Sequence, residues 1–85
     1  MRYFERMTVR EALKRDNTHP AYRCYHGIMR RVSSIRFDSK ERIYRCLLAG
    51  ERLEAVDLLP TDVLYITDDS AIEGKSFHDL HRTAS

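Results

Sequence analysis

The sequence predicts a mostly β domain of the α+β type: a short N-terminal helix, then a small, strongly bent antiparallel sheet, then a polar tail. Three observations lead there. Between Ile28 and Ile66 the apolar residues recur with the two-residue period of strands, broken by hairpin-type turns. Ahead of that stretch, Thr8-Val9-Arg10-Glu11 has the hydroxyl-to-carboxylate spacing of a helix capping box. After Thr67 the chain turns acidic and small. Eighty-five residues make one domain, expected over residues 1–67, with 68–85 as an acidic, partly flexible tail.

The elements follow in order. Met1 to Met7 mixes Tyr3, Phe4 and Met7 with charges and fits either an edge strand or a lead-in to the helix. The helix is expected over residues 8–15. Met7 and Ala12 suit a weak staple across the cap, and Val9, Ala12 and Leu13 share one buried stripe. Lys14 and Arg15 complement the dipole of the last turn, and Asp16 to Pro20 stops the helix. Two turns cannot stand alone in water, so this helix must dock on the sheet. Ala21 to His26 reads as extended and ends at Gly27.

The sheet itself is expected over residues 28–66. In its first strand, Ile28 to Phe37, Ile28 and Val32 share one parity while Ile35 and Phe37 share the other. A change of phase at Ser33-Ser34 is the signature of a β-bulge or sharp bend. Asp38-Ser39-Lys40-Glu41 supplies a four-residue turn. The second strand, Arg42 to Ala49, turns Tyr44, Cys46 and Leu48 inward, and Gly50-Glu51 reads as a tight turn. A third strand, Arg52 to Val56, is expected to face Leu53 and Ala55 inward. Pro60 rules out a central strand over Asp57 to Asp62, so one helical turn burying Leu58 or Leu59 is expected before a last strand, Val63 to Thr67. In the tail, Ser76 suits the start of a terminal helical turn with Phe77 and Leu80. A bent hairpin, a third strand, a helical-turn corner and a closing strand together resemble a small SH3-like barrel, which implies an architecture and no function.

Composition narrows the function classes. At 42% hydrophobic and 33% charged, the chain belongs with globular rather than disordered sequences. Its longest apolar runs span four residues, far short of the roughly 20 that a membrane helix needs. Two cysteines and no secretory-type apolar segment make a reducing cytoplasm the expected setting. Three glycines cannot build a phosphate-binding loop, and no His-Glu-x-x-His or paired Cys-x-x-Cys occurs. His19, Cys24, His26 and Cys46 lack the paired spacing of a zinc site, and Cys24 with His26 lacks a third orienting group for nucleophilic catalysis. His78 and His81 suit a solvated surface. No catalytic residue, metal or cofactor is therefore expected, and the protein is read as a non-enzyme.

Charge is the informative feature. Residues 1–52 hold 13 Lys/Arg against 6 Asp/Glu, a net +7, whereas residues 53–85 hold 2 against 7, a net −5. Twelve of the 15 basic residues are arginine, whose planar fork suits phosphate and carboxylate and stacks on flat π surfaces. Arg30, Arg36, Arg45 and Arg52 fall outside the expected core, flanked by Arg23, Arg31 and Arg42, with Tyr22 and Tyr25 nearby. Cations tracking phosphates beside stacking aromatics are how single-stranded nucleic acid is held. The expected function is thus a small binding module for single-stranded nucleic acid or RNA, using Arg23, Tyr25, Arg30, Arg31, Arg36, Arg42, Arg45 and Arg52. The alternative is an accessory protein that docks on and regulates a larger protein, similar in general character to small proteins of phages and mobile elements. The opposite charges of the two halves also suit a homodimer, or a tail folded back over the basic sheet.

Overall fold

The computed structural model describes residues 3–15 and 19–77. These residues form six strands, β1 (Phe4–Thr8), β2 (Ala21–Tyr25), β3 (Ile28–Asp38), β4 (Ile43–Leu48), β5 (Glu54–Leu58) and β6 (Val63–Thr67), with one helix, α1 (Val9–Lys14), between β1 and β2. All six join one antiparallel sheet in the order β1-β6-β2-β3-β4-β5. The mostly β expectation holds. The sheet is not a closed barrel, however, because β1 and β5 are its two free edges.

The bend occurs where the phase of the sequence changes. β3 pairs Val32 with Leu48 and Ser34 with Leu47, so Ser33 is the extra residue of a bulge. On either side of it, Val32 and Ile35 both turn to the same core. That core lies on the inner face of the folded sheet and gathers Met7, Val9, Ala12, Cys46, Leu48, Leu58, Leu64 and Ile66. Cys46 and Leu48 are buried inward as their alternation requires, with Tyr44 packed at the margin.

The capping box is present: Thr8 Oγ1 accepts from the Glu11 N–H at 3.2 Å, and Glu11 Oε1 accepts from the Thr8 N–H at 3.3 Å. Two of the remaining orphan amides of α1 donate to the corner between β5 and β6, Val9 to Asp62 O at 2.8 Å and Arg10 to Pro60 O at 3.1 Å. That corner is a single turn closed by Asp62 N–H to Leu59 O, with Leu59 N–H donating to Asp62 Oδ2 at 2.7 Å. Helix and corner therefore satisfy one another's backbone groups. Leu13 is exposed rather than buried, because a helix this short turns only Val9 and Ala12 toward the sheet.

The structure adds to or departs from these expectations in three places. First, the edge segment and the extended segment before Gly27 are full strands: β1 pairs with β6, and β2 pairs with both β6 and β3. His26 and Gly27, with φ of 51° and 78°, make the two-residue turn into β3 that matches strand twist. Second, the third strand of the core begins at Glu54, two residues later than its composition suggests, and its phase is inverted. Val56 sits opposite Cys46 and Leu58 opposite Tyr44, which turns Leu53 and Ala55 outward. Residues 49–53 then form a loop in place of a tight turn at Gly50-Glu51. Leu58 is the buried leucine of the expected corner pair, and it is reached as the last residue of β5.

Third, the chain beyond Thr67 is packed as far as it is described. A 3₁₀ turn (Ser70–Ile72) drives Ile72 onto Tyr22 and Met29 on the outer face of the sheet, where Cys24, Tyr65 and Phe77 complete a second apolar cluster. Gly74 N–H donates to Met29 O at 2.8 Å, Met29 N–H to Lys75 O at 2.9 Å and Phe77 N–H to Gly27 O at 2.8 Å, beside the start of β3 that β4 does not reach. His78, Leu80 and His81 lie outside the described residues. Because Ile72 is fully buried, Ile72→Ala is expected to lower stability by about 2–5 kcal/mol in chemical denaturation. A tail that merely lies in solvent would give a change near zero.

Candidate binding face

The second apolar cluster divides the outer face in two. Over β6, β2 and the beginning of β3 it is covered by residues 69–77; over the end of β3, β4 and β5 no described residue covers it. The bare half carries Ser34, Arg36 and Asp38 from β3, Arg45 and Leu47 from β4, and Ala55 and Asp57 from β5, lining an open trough of about 1010 Å³. Ser39 and Lys40 close its end at the hairpin. Strand register builds this surface, because Arg36 faces Arg45, Ser34 faces Leu47, Arg45 faces Asp57 and Leu47 faces Ala55.

Two guanidinium groups directly opposite one another repel unless one is compensated. Here Arg45 is: it donates to Asp57 Oδ1 at 2.8 Å and to Asp38 Oδ2 at 3.4 Å, which raises its pKa. Asp38 in turn accepts backbone N–H groups from Glu41 and Lys40, and these with Arg45 hold its carboxyl below the usual range. A lowered carboxyl adds stability that is complete above its unfolded value of about 4 and fades as the pH falls through the folded value. The hairpin is therefore fully braced at neutral pH. Arg36 makes no ion pair with the described residues.

The eight residues singled out from the sequence separate into two groups. Arg31, Arg36 and Arg45 share the outer face of β3 and β4, Arg42 stands at the hairpin tip with φ of 56°, and Arg52 is exposed in the loop before β5. Arg23, Arg30 and Tyr25 are spent inside the fold. Arg23 donates to Val63 O at 2.9 Å and lies 3.9 Å from Asp62. Arg30 has the parity of Val32 rather than Arg31 and leans over the inner face, its side chain only 17% exposed. It donates to Ala49 O at 2.7 Å, to Glu54 Oε1 at 3.1 Å and to Arg52 O at 3.4 Å, and its guanidinium lies 6.0 Å from the Tyr25 ring. Tyr25 itself packs on the first core beside His26.

Residues that sequence reading passed over also belong here. Phe37 has core parity, yet it is 52% exposed and rests only on Tyr44, at 5.1 Å between ring centres. The signal was its place next to the polar turn, level with Leu58 at the end of β5. Leu47 joins the trough by its outward parity opposite Ala55, and Lys40 joins it from the turn.

Among the described residues no group of three or more His, Cys, Asp or Glu is placed to hold a metal ion. His19 stacks on Tyr3 and His26 lies in the turn, apart from buried Cys46, whose thiol burial pushes up to about 11. No helix among the described residues is long and apolar enough to cross a membrane. Compared with known proteins, the chain matches no family model, no curated protein and no solved structure.

Arg30 explains Gly50. A Cβ there would stand 2.5 Å from Arg30 Nη2, so alanine must expel a guanidinium that ties β3 to the β4–β5 loop. Gly50→Ala is expected to cost about 1–3 kcal/mol in wild type, the scale of a buried charge-assisted hydrogen bond. In an Arg30→Ala background the same substitution should cost little. A double-mutant cycle by urea denaturation reads this coupling, and additive effects would contradict it.

Proposed function

We propose that this protein is a non-catalytic module that binds single-stranded nucleic acid along the bare outer face of the β3–β4 hairpin. The observation that carries the reading is Arg36 set opposite Arg45 on an uncovered trough, with Arg31 and Arg42 continuing the line of cations. Residues 31–45 hold five basic side chains against two acidic ones, a surplus of +3 on one hairpin. Arg45, gripped by two carboxylates, is an oriented donor fork; Arg31, Arg36 and Arg42, which make no ion pair with the described residues, are placed to meet phosphates. Phe37, exposed at the open end of the hairpin on its inner-face side and backed by Tyr44, borders the trough rather than flooring it.

We read the architecture as an SH3-like barrel left open. The order β6-β2-β3-β4-β5 with a one-turn corner between β5 and β6 supports this, and β1 adds a strand outside it.

A second reading, a regulator that docks on a larger protein, draws support from the near balance within the trough. There Arg36, Lys40 and Arg45 meet Asp38 and Asp57, beside exposed Leu47. Such mixed, Arg-rich surfaces with an apolar floor serve as protein hot spots.

Anisotropy of a labelled single-stranded oligoribonucleotide separates the two. Binding at low salt is expected to weaken steeply with ionic strength. In Arg31→Gln with Arg36→Gln, the slope of log K against log salt should shrink by about 1.4, two contacts at roughly 0.7 each. An undetectable interaction at low salt, or a slope unchanged in the double variant, overturns the nucleic-acid reading and leaves the protein partner.

A further inference from the structure

We infer that two copies of this chain associate through their β5 strands, paired antiparallel about a two-fold axis at Val56, so that Leu53 of each copy meets Leu59 of the other. The edge comes first. β5 pairs with β4 alone, and its other edge has no backbone partner among the described residues. An exposed edge invites a further strand unless lysine, proline or an unpaired inward charge blocks it. Glu-Ala-Val-Asp-Leu contains neither lysine nor proline. Both of its carboxylates are already occupied within their own chain, Glu54 by Arg30 at 3.1 Å and Asp57 by Arg45 at 2.8 Å. Neither then opposes the approach of an identical strand.

The side chains favour a copy of the same strand over a foreign peptide. Leu53 and Leu59 flank β5 with 61% and 53% of their surface exposed, the two largest exposures among the chain's described large apolar residues. In a two-fold antiparallel pair centred on Val56, residue numbers across the axis sum to 112. Leu53 then opposes the partner's Leu59, Ala55 the partner's Asp57, Glu54 the partner's Leu58, and Val56 itself. Leu53, Ala55, Asp57 and Leu59 have one parity, so both leucine pairs form on the outer face, next to exposed Leu47. The symmetry closes on itself and gives a dimer with no further free β5 edge. Pairing of β5 with the other free edge, β1, would instead leave an edge open at each end and grow into larger assemblies. β1 bears Glu5 and Arg6 in mid-strand and offers no leucine at either end to meet Leu53 and Leu59. The dimer also continues the bare outer face from one copy into the next, although nothing in the inference depends on what that face binds.

The test is the mass of the full chain in solution, by sedimentation equilibrium across micromolar to millimolar concentrations, without nucleic acid. Twice the 10.1 kDa of one chain is expected at the upper end. Leu53→Lys with Leu59→Lys puts like charges opposite one another twice, at exposed positions outside both apolar clusters; it should remain folded by circular dichroism and shift the dissociation constant upward about tenfold or more, for charges facing directly across strands at two places. Leu53→Lys with Leu59→Glu places opposite charges at the same two positions and should restore the dimer. A wild-type chain that stays monomeric throughout, a mass above the dimer, a dimer that survives the double lysine variant, or failure of the Lys/Glu variant to restore it overturns the inference.

Discussion

Everything positioned on this molecule depends on the bulge at Ser33. β3 is eleven residues long and belongs to both halves of the sheet, pairing with β2 along its first part and with β4 along its second. An uninterrupted strand keeps one parity from end to end, so Val32 and Ile35 would point to opposite faces. The extra residue brings both to the same core and bends the sheet around it. The pairing is pinned by its alternatives, because a slip of one residue beyond the bulge would turn Ile35 outward and push Arg36 into the apolar cluster. Burying an unpaired guanidinium costs several kcal/mol, a large share of the stability of a small domain.

The bend also explains why the outer face is divided. Before the bulge, Met29 faces outward and needs cover, which the 3₁₀ turn and Ile72 provide. After it, the outward residues are Ser34, Arg36 and Asp38, which need none. Among the described residues the chain thus covers the half of its outer face that is apolar and leaves the cationic half uncovered. The arginines divide in a similar way. Those beside loops with unpaired carbonyls act as internal staples: Arg23 holds the start of β6, and Arg30 holds the β4–β5 loop against β3. A shallow core gains more from such multidentate donors than from lysine. The +7 of the first 52 residues therefore overstates the charge available to a partner.

Features fixed by near neighbours were legible in the sequence. The capping box, the phase change at Ser33-Ser34 and the inward set around Cys46 and Leu48 each need only a few consecutive residues to be recognised. Features fixed by distant pairing were not. Nothing in Glu5, Arg6 and Met7 says that β6 waits opposite, and nothing in Ile72 says that Met29 does. Leu53 and Ala55 misled because their apolar character is an inward signal only in a chain that buries all its leucines in itself. That misreading is the observation behind the proposed pairing of β5 with a second copy. Arg30 misled for a different reason: its destination is a loop whose shape depends on Gly50, and neither residue alone reveals the contact.

On the proposed reading, one half of the outer face is closed by the chain's own residues and the other half is the working surface. Amide chemical shifts followed by NMR during titration with a single-stranded oligoribonucleotide test it most directly. The account predicts changes confined to Arg31, Ser34 to Phe37, Arg42, Arg45 and Leu47, with Tyr22, Met29 and Ile72 unmoved. Changes centred on α1 and β1, or spread over the covered cluster around Ile72, would contradict it.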